Sequence, residues 1–220
     1  MFESLFNPDN AFMTFINKII DLVVLSLVFT ICCIPIITIG PALAALYYAV
    51  VKTVRRRRSY PVKEFWSAFK SNMKRGIVAE LFFLAFSIMM LWTDVPLLLT
   101  FINTGKIQDT LLLILFVIKF VILAGMACWI YPLMSRFDQK LWKLAQVSLC
   151  LLLQYLPITL IFIVLLAVMV ILLVWEPLLT VVLPGMFILL LSFMLEPALR
   201  KLCDEEECKD SNKDSWYLEK

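Results

Sequence analysis

The chain is expected to fold as an all-α, polytopic transmembrane helical bundle, on three observations. Of its 220 residues, 62% are hydrophobic and only 17% charged, and the mean hydropathy is +0.92. Soluble domains of this size carry about 45–50% apolar and about 25% charged residues, so a soluble core could not hide this much apolar surface. The apolar residues come in blocks of membrane-spanning length, and the positive charge is segregated between them. Lys52 to Arg75 holds nine basic residues and one acid, a net of +8, whereas the whole chain is only +3. Within that stretch Arg55, Arg56, Arg57 and Arg58 follow one apolar block and precede the next. Such a run is an orientation signal and places this loop in the cytoplasm.

Taken in order, Asn7-Pro8-Asp9-Asn10 reads as a turn and cap for a helix starting near Ala11. Phe12, Phe15, Ile16, Ile19 and Ile20 recur at helical spacing, and from Leu22 the pattern is apolar all round. No basic n-region precedes this block, so it reads as a retained span rather than a cleaved signal. Pro35-Ile36-Ile37-Thr38-Ile39-Gly40-Pro41 then interrupts any helix, because proline lacks the backbone donor and clashes with the preceding turn. Thr38 is placed to bond a free carbonyl at the break, and Gly40 to take a backbone shape other residues avoid. Pro41 suits the first turn of a new helix, whose Ala42, Ala44 and Ala45 admit a close neighbour.

Two arrangements of this region stay open. A helix from Ala11 to Pro35 and another from Pro41 to Arg57 would form a tight hairpin and make six crossings, with both termini cytoplasmic. A single kinked span from Leu22 to Val51 would be about 45 Å long, against a hydrocarbon core of about 30 Å, and would leave five. The hairpin fits the lengths better.

Residues 52–75 read as a basic amphipathic cytoplasmic segment. Phe65, Trp66 and Phe69 share a face flanked by Lys63, Lys70 and Lys74. Such a helix is expected to lie along the membrane with its aromatics in the headgroups. Arg55, Arg56, Arg57, Arg58, Lys63, Lys70, Lys74 and Arg75 are therefore the candidate contacts for anionic phospholipids. A groove on a partner protein is the rival reading.

Four more spans follow: Gly76 to Leu99, Thr110 to Tyr131, Ala145 to Trp175 with a bend at Pro157, and Leu178 to Leu195, ending before Glu196-Pro197. The loop with Arg136, Asp138, Lys140 and Lys143 is net positive and suits the inside. The one with Asp94, Lys106 and Asp109 is net negative and suits the outside. Residues 1–200 thus form one membrane domain in a plasma membrane, and 201–220 an acidic cytoplasmic tail. Cys203 and Cys208 flank four acids there; without histidine they make a poor zinc site.

Chemistry is harder to find. The chain has no histidine and five glycines, which excludes histidine triads and glycine-rich phosphate loops. Ser26, Thr30 and Thr38 lack an activating base. No enzyme, cofactor, metal or nucleic-acid-binding role is expected. Three polar residues inside spans form the candidate intramembrane polar site. Lys119 must snorkel toward Asp109 or Asp94, lose its proton, or pair inside a cavity with a transport or gating role. Glu80 is expected to pair with Arg75 or with the basic end of another helix, and Gln154 to join helices by a hydrogen bond.

Several of these pieces also resemble a known pattern. Phe6-Asn7-Pro8-Asp9-Asn10, Cys33 through Ala42, Ala44-Ala45-Leu46-Tyr47-Tyr48 and Phe65-Trp66-Ser67-Ala68-Phe69-Lys70-Ser71-Asn72 are similar to the YesL family of small bacterial membrane proteins, a domain of unknown function. The resemblance covers residues 1 to 200 and is most specific over the first 75. It implies a bacterial protein whose relatives are often encoded beside carbohydrate ABC transporters, hence an accessory or regulatory role in sugar uptake. The alternative is a small-solute transporter or permease-like subunit using the intramembrane polar site. No Glu-Ala-Ala coupling motif is present in the basic loop, which weighs against an ABC permease. A homo-oligomer stays open.

Overall fold

A computed structural model describes residues 11–55, 60–104 and 107–205 of the chain. The Asn7–Asn10 cap, Arg56, Arg57, Arg58, Lys106 and Cys208 lie outside these residues. Among them the structure is all helical. The α-helices are α1 (Ala11–Cys32), α2 (Ile39–Ala49), α3 (Pro61–Thr104), α4 (Ile107–Arg136), α5 (Leu141–Gln154), α6 (Leu156–Trp175) and α7 (Leu183–Glu205). Short 3-10 turns at Ile36–Thr38 and Pro177–Val181 precede α2 and α7, and a π-helical stretch, Val50–Arg55, ends α2.

Five helical segments are long and apolar enough to cross a membrane: Phe15–Cys32, Ile36–Arg55, Pro61–Pro96, Ile114–Arg136 and Leu156–Trp175. A multi-pass membrane bundle is therefore upheld, but the expected set of six helices is corrected. There are seven α-helices among the described residues, and the apolar stretches Leu141–Gln154 and Leu183–Leu199 fall short of full spans. The expected span Ala145–Trp175 is two helices. Tyr155, at φ −116° and ψ 40°, leaves the helical region and ends α5. Pro157 then sits in the first turn of α6, where its missing N–H has no helical partner to lose. The last helix does not stop before Glu196-Pro197 but carries Pro197 inside it.

The basic segment also differs from expectation. Residues 61–75 do not form a separate interfacial helix; they are the first part of α3, a single helix of 44 residues, about 66 Å long. Phe65 and Phe69 are buried in the hydrophobic core instead of lying among headgroups, while Lys63, Trp66, Lys70 and Lys74 stay exposed. α2 and α3 form the most extensive helix pair of the bundle.

Glycine makes that pairing close. A Cβ on Gly40 would lie 2.7 Å from the Gly76 carbonyl oxygen, and one on Gly76 would lie 2.7 Å from the Pro41 Cα. Gly40 is thus needed for backbone approach and not for an unusual backbone shape, since it lies within regular helix. At the break itself the Thr38 hydroxyl lies 2.5 Å from the Cys32 carbonyl, which the end of α1 leaves open, and 2.6 Å from that of Pro35 in the turn. The α1–α2 turn sits part-way up the bundle. From Gly76, which touches the start of α2, α3 continues for 28 residues, about 42 Å.

Candidate functional site

At the end of the bundle where α2, α4 and α7 finish, a carboxylate meets two guanidiniums. Arg136, in the last turn of α4, donates through Nη2 to Glu196 Oε2 on α7, and each side chain is only 2% exposed. Tyr47 of α2 donates its hydroxyl to the same oxygen at 3.4 Å. Arg55, from the π-helical stretch, approaches it to 4.0 Å and donates to the Ser192 carbonyl at 2.7 Å. Pro197 cannot bond the Phe193 carbonyl one turn back. Arg55 caps the adjoining carbonyl and stacks over the Phe193 ring at 4.7 Å. The charge-assisted bond from Arg136, the Tyr47 hydroxyl and the nearby Arg55 charge all act on Glu196 Oε2 and offset part of the cost of burying the pair. A second pair, Lys52 with Glu64 at 3.0 Å, ties the same stretch to the start of α3.

Above this polar floor lies an apolar cleft of about 150 Å³, walled by α1, α2, α4, α6 and α7. Tyr47, Pro132 and Leu191 line it at the charged end, and Phe29, Met169 and Pro184 at the other. Its wall carries almost no polar surface and it is only partly enclosed. Small residues of α4, Ala124 and Ala127, leave the space that larger side chains would fill.

The three residues of the sequence-derived polar site are not brought together. Lys119 of α4 pairs with Asp94 of α3, its amine 2.6 Å from both carboxylate oxygens. Glu80 does not take Arg75 as its partner, as the sequence suggested; it accepts from the Tyr131 hydroxyl of α4 at 2.6 Å. Arg75 turns instead to Asp138 at 2.8 Å and to the carbonyls of Phe137 and Gln139, which staples the α4–α5 loop to α3. The Glu80 and Asp94 pairs are 14 residues apart on α3, about 21 Å along its axis. Gln154 is exposed at the end of α5. The interhelical hydrogen bond expected of it is made nearby by Trp129, whose indole donates to the Thr159 hydroxyl at 3.1 Å between α4 and α6.

Sequence reasoning missed Glu196 and Arg136 as a pair, having placed both at span ends facing water. The available signal was Tyr47 and Glu196, polar groups inside otherwise apolar helical stretches that finish at the same membrane face. No group of three metal-ligating side chains occurs among the described residues.

Fold and site together define a multi-pass, all-α membrane protein whose intramembrane polar groups tie helices together. Residues 20–104 match the family model described as Protein of unknown function, DUF624. That match upholds the resemblance to the YesL family read from the residues. The matched stretch takes in most of α1, all of α2 and α3, and the Gly40–Gly76 contact. Searches of curated proteins and of solved structures find no match to the chain.

Proposed function

We propose that this chain is a non-enzymatic subunit of the bacterial plasma membrane, accessory or regulatory to a carbohydrate ABC transporter. The single observation that carries the reading is the dispersal of its intramembrane polar groups. Arg136–Glu196, Glu80–Tyr131 and Lys119–Asp94 each join two helices. They lie at separate heights, and the cleft between them has an apolar wall. A sugar crossing that wall would leave its hydroxyls without partners, at a cost of about 2 kcal/mol or more for each. The link to carbohydrate uptake comes from the family resemblance.

On this reading the basic end, with Arg55, Lys63, Lys70, Lys74 and Arg75, faces the cytoplasm together with the C-terminus. The exposed lysines of α3 meet anionic phospholipid or the partner. α1 and α2 form a hairpin, and the five segments long enough to cross become six passages if the shorter apolar stretch Leu183–Leu199 of α7 completes the last one. Single cysteines near residues 4 and 215, in a background free of native cysteines, test the orientation; labelling of residue 4 from outside would favour five crossings.

The functional test is affinity purification from native membranes, with identification of co-purifying proteins, and reconstitution of the pure chain in vesicles. An ABC permease that co-purifies, and no sugar flux by the chain alone, support the proposal. Sugar flux that is lost in Lys119→Ala overturns it in favour of a transporter.

A further inference from the structure

We infer that the acidic segment Asp204–Lys220, which closes α7 and follows it, docks on the lysine face of the first part of α3 and covers it. The inference concerns this chain alone and does not rest on a transporter partner.

The face itself is built by burial on the other side of the helix. Lys63, Trp66, Lys70 and Lys74 are exposed along one side of α3, three and four residues apart, over about 16 Å. Among the described residues none of these three lysines makes an ion pair. Lys70 rests over the Trp66 ring at 5.7 Å, and the nearest acid in sequence, Glu64, is committed to Lys52 at 3.0 Å. A helix that lies on a membrane puts its apolar side among the headgroups. Here that side, with Phe65 and Phe69, is already buried in the bundle. The face left over is cationic with one aromatic ring, which complements an acidic peptide.

Such a peptide begins close by. Lys52 and Arg55 belong to one six-residue π-helical stretch. From it Lys52 reaches Glu64 on α3, and Arg55 reaches the Ser192 carbonyl on α7. The start of α3 and the last part of α7 are therefore neighbours at one end of the bundle. α7 runs nine residues past Glu196 and finishes at Glu205, about 14 Å further on. Its last turn holds Asp204 and Glu205 and no basic residue. Acids there oppose the helix dipole, so a cation beside them is favoured.

From Asp204 to Lys220 there are seven acids and three bases, a net of −4, against +3 from Lys63, Lys70 and Lys74. Residues 206–220 lie outside the described part of the chain; 15 residues reach about 50 Å at full extension, enough to cover the lysine face. Trp216-Tyr217-Leu218 supplies apolar groups for the exposed Trp66 ring. Single exposed ion pairs are weak, and a free peptide of this kind would not hold. A segment tethered to the same chain meets the lysines at an effective concentration on the order of millimolar, so several weak pairs can close together.

The test is carbodiimide coupling on the full chain in phosphatidylcholine nanodiscs, which condenses a carboxylate with an adjacent amine to an amide. Links are mapped by mass spectrometry. Lys63, Lys70 or Lys74 should link to Asp210, Asp214 or Glu219, and raising salt from about 0.1 M to about 1 M should lower these links about fivefold. The combined variant Glu205→Gln, Glu206→Gln and Glu207→Gln should lower the same links about threefold. Removing residues 206–220 should raise acetylation of the three lysines by an N-hydroxysuccinimide ester about threefold. Lys140 and Lys143, exposed elsewhere, should react as before and so report an intact fold. Unchanged acetylation of the α3 lysines, or links insensitive to both salt and the glutamine variant, would overturn the inference. In a mixture of isotopically heavy and light chains, links between heavy and light would assign the face to a second copy. Loss of the links in phosphatidylglycerol nanodiscs would assign it to lipid headgroups. Either of these results overturns the inference as well.

Discussion

α2 and α6 occupy the same bundle under opposite rules. The α2 segment, Ile36–Arg55, has a mean hydropathy of 1.5 and is 67% buried; α6 reaches 3.3 and is 11% buried. In a soluble protein the more apolar helix would be the central one. Here it is the peripheral one, because lipid solvates leucine and valine as well as a protein core does. What draws α2 inward is small size and polar commitment. Gly40, Ala42, Ala44, Ala45 and Ala49 let neighbours approach its backbone, and Tyr47 and Lys52 find partners only inside the bundle. Hydropathy thus reports which segments enter the membrane, and small and polar residues report which of them is enclosed.

Four substitutions would break or sharpen that contrast. The largest effect is expected at Glu196. Glu196→Ala leaves Arg136 buried beside Tyr47 without its carboxylate and should lower stability by about 3–5 kcal/mol in reversible detergent unfolding. The double variant Arg136→Met with Glu196→Leu should recover most of that loss, since a well-packed apolar pair avoids both desolvation costs. An undiminished loss in the double variant would mean that the ion pair organises this end beyond its own energy.

Next is the α2–α3 contact. Gly76→Val puts a β-branched side chain where even a Cβ would lie 2.7 Å from the Pro41 Cα. The backbones must separate, at a cost of about 1–3 kcal/mol or more. Amide exchange along α2 should rise while exchange along α6 stays as it was. Smaller again is Tyr131→Phe, which removes the hydroxyl from Glu80 and should cost about 1–3 kcal/mol, toward the lower figure if lipid headgroups or water reach the carboxylate. The smallest is Ile171→Ala on the exposed face of α6. Lipid refills the space, no cavity forms, and the change should stay within about 0.5 kcal/mol. A loss at Ile171 as large as that at Gly76 would show that α6 is covered by protein in the membrane.

The elements that were legible in the sequence are those decided by local chemistry. The break at Pro35–Pro41 follows from proline geometry, and Thr38 covers the carbonyl of Cys32 as its position suggested. The apolar lengths of α1, α3 and α4 follow from hydropathy. Misreadings arose where a residue answers to a neighbour distant in sequence. Phe65 and Phe69 look like a membrane-surface face until α2 is laid against them. Glu80 lies five residues from Arg75 but takes its partner from α4, 51 residues away. Pro157 announced a bend in the run from Ala145 to Trp175, but not that Tyr155, two residues earlier, would leave the helical region and divide it into two helices.

By itself, then, the sequence determined that this chain enters a membrane, that its first helix is interrupted at Pro35–Pro41, and which stretches carry the positive charge. Those properties depend on side-chain transfer energies and backbone geometry, which each residue carries with it. Tertiary structure decided which helix is enclosed, that Arg136 and Glu196 share a buried pair, and that a narrow apolar cleft stands above them. The reason is physical. Lipid gives no preference among apolar faces, so the bundle is sorted by close backbone approach and by the pairing of polar groups, and both are properties of two helices at once.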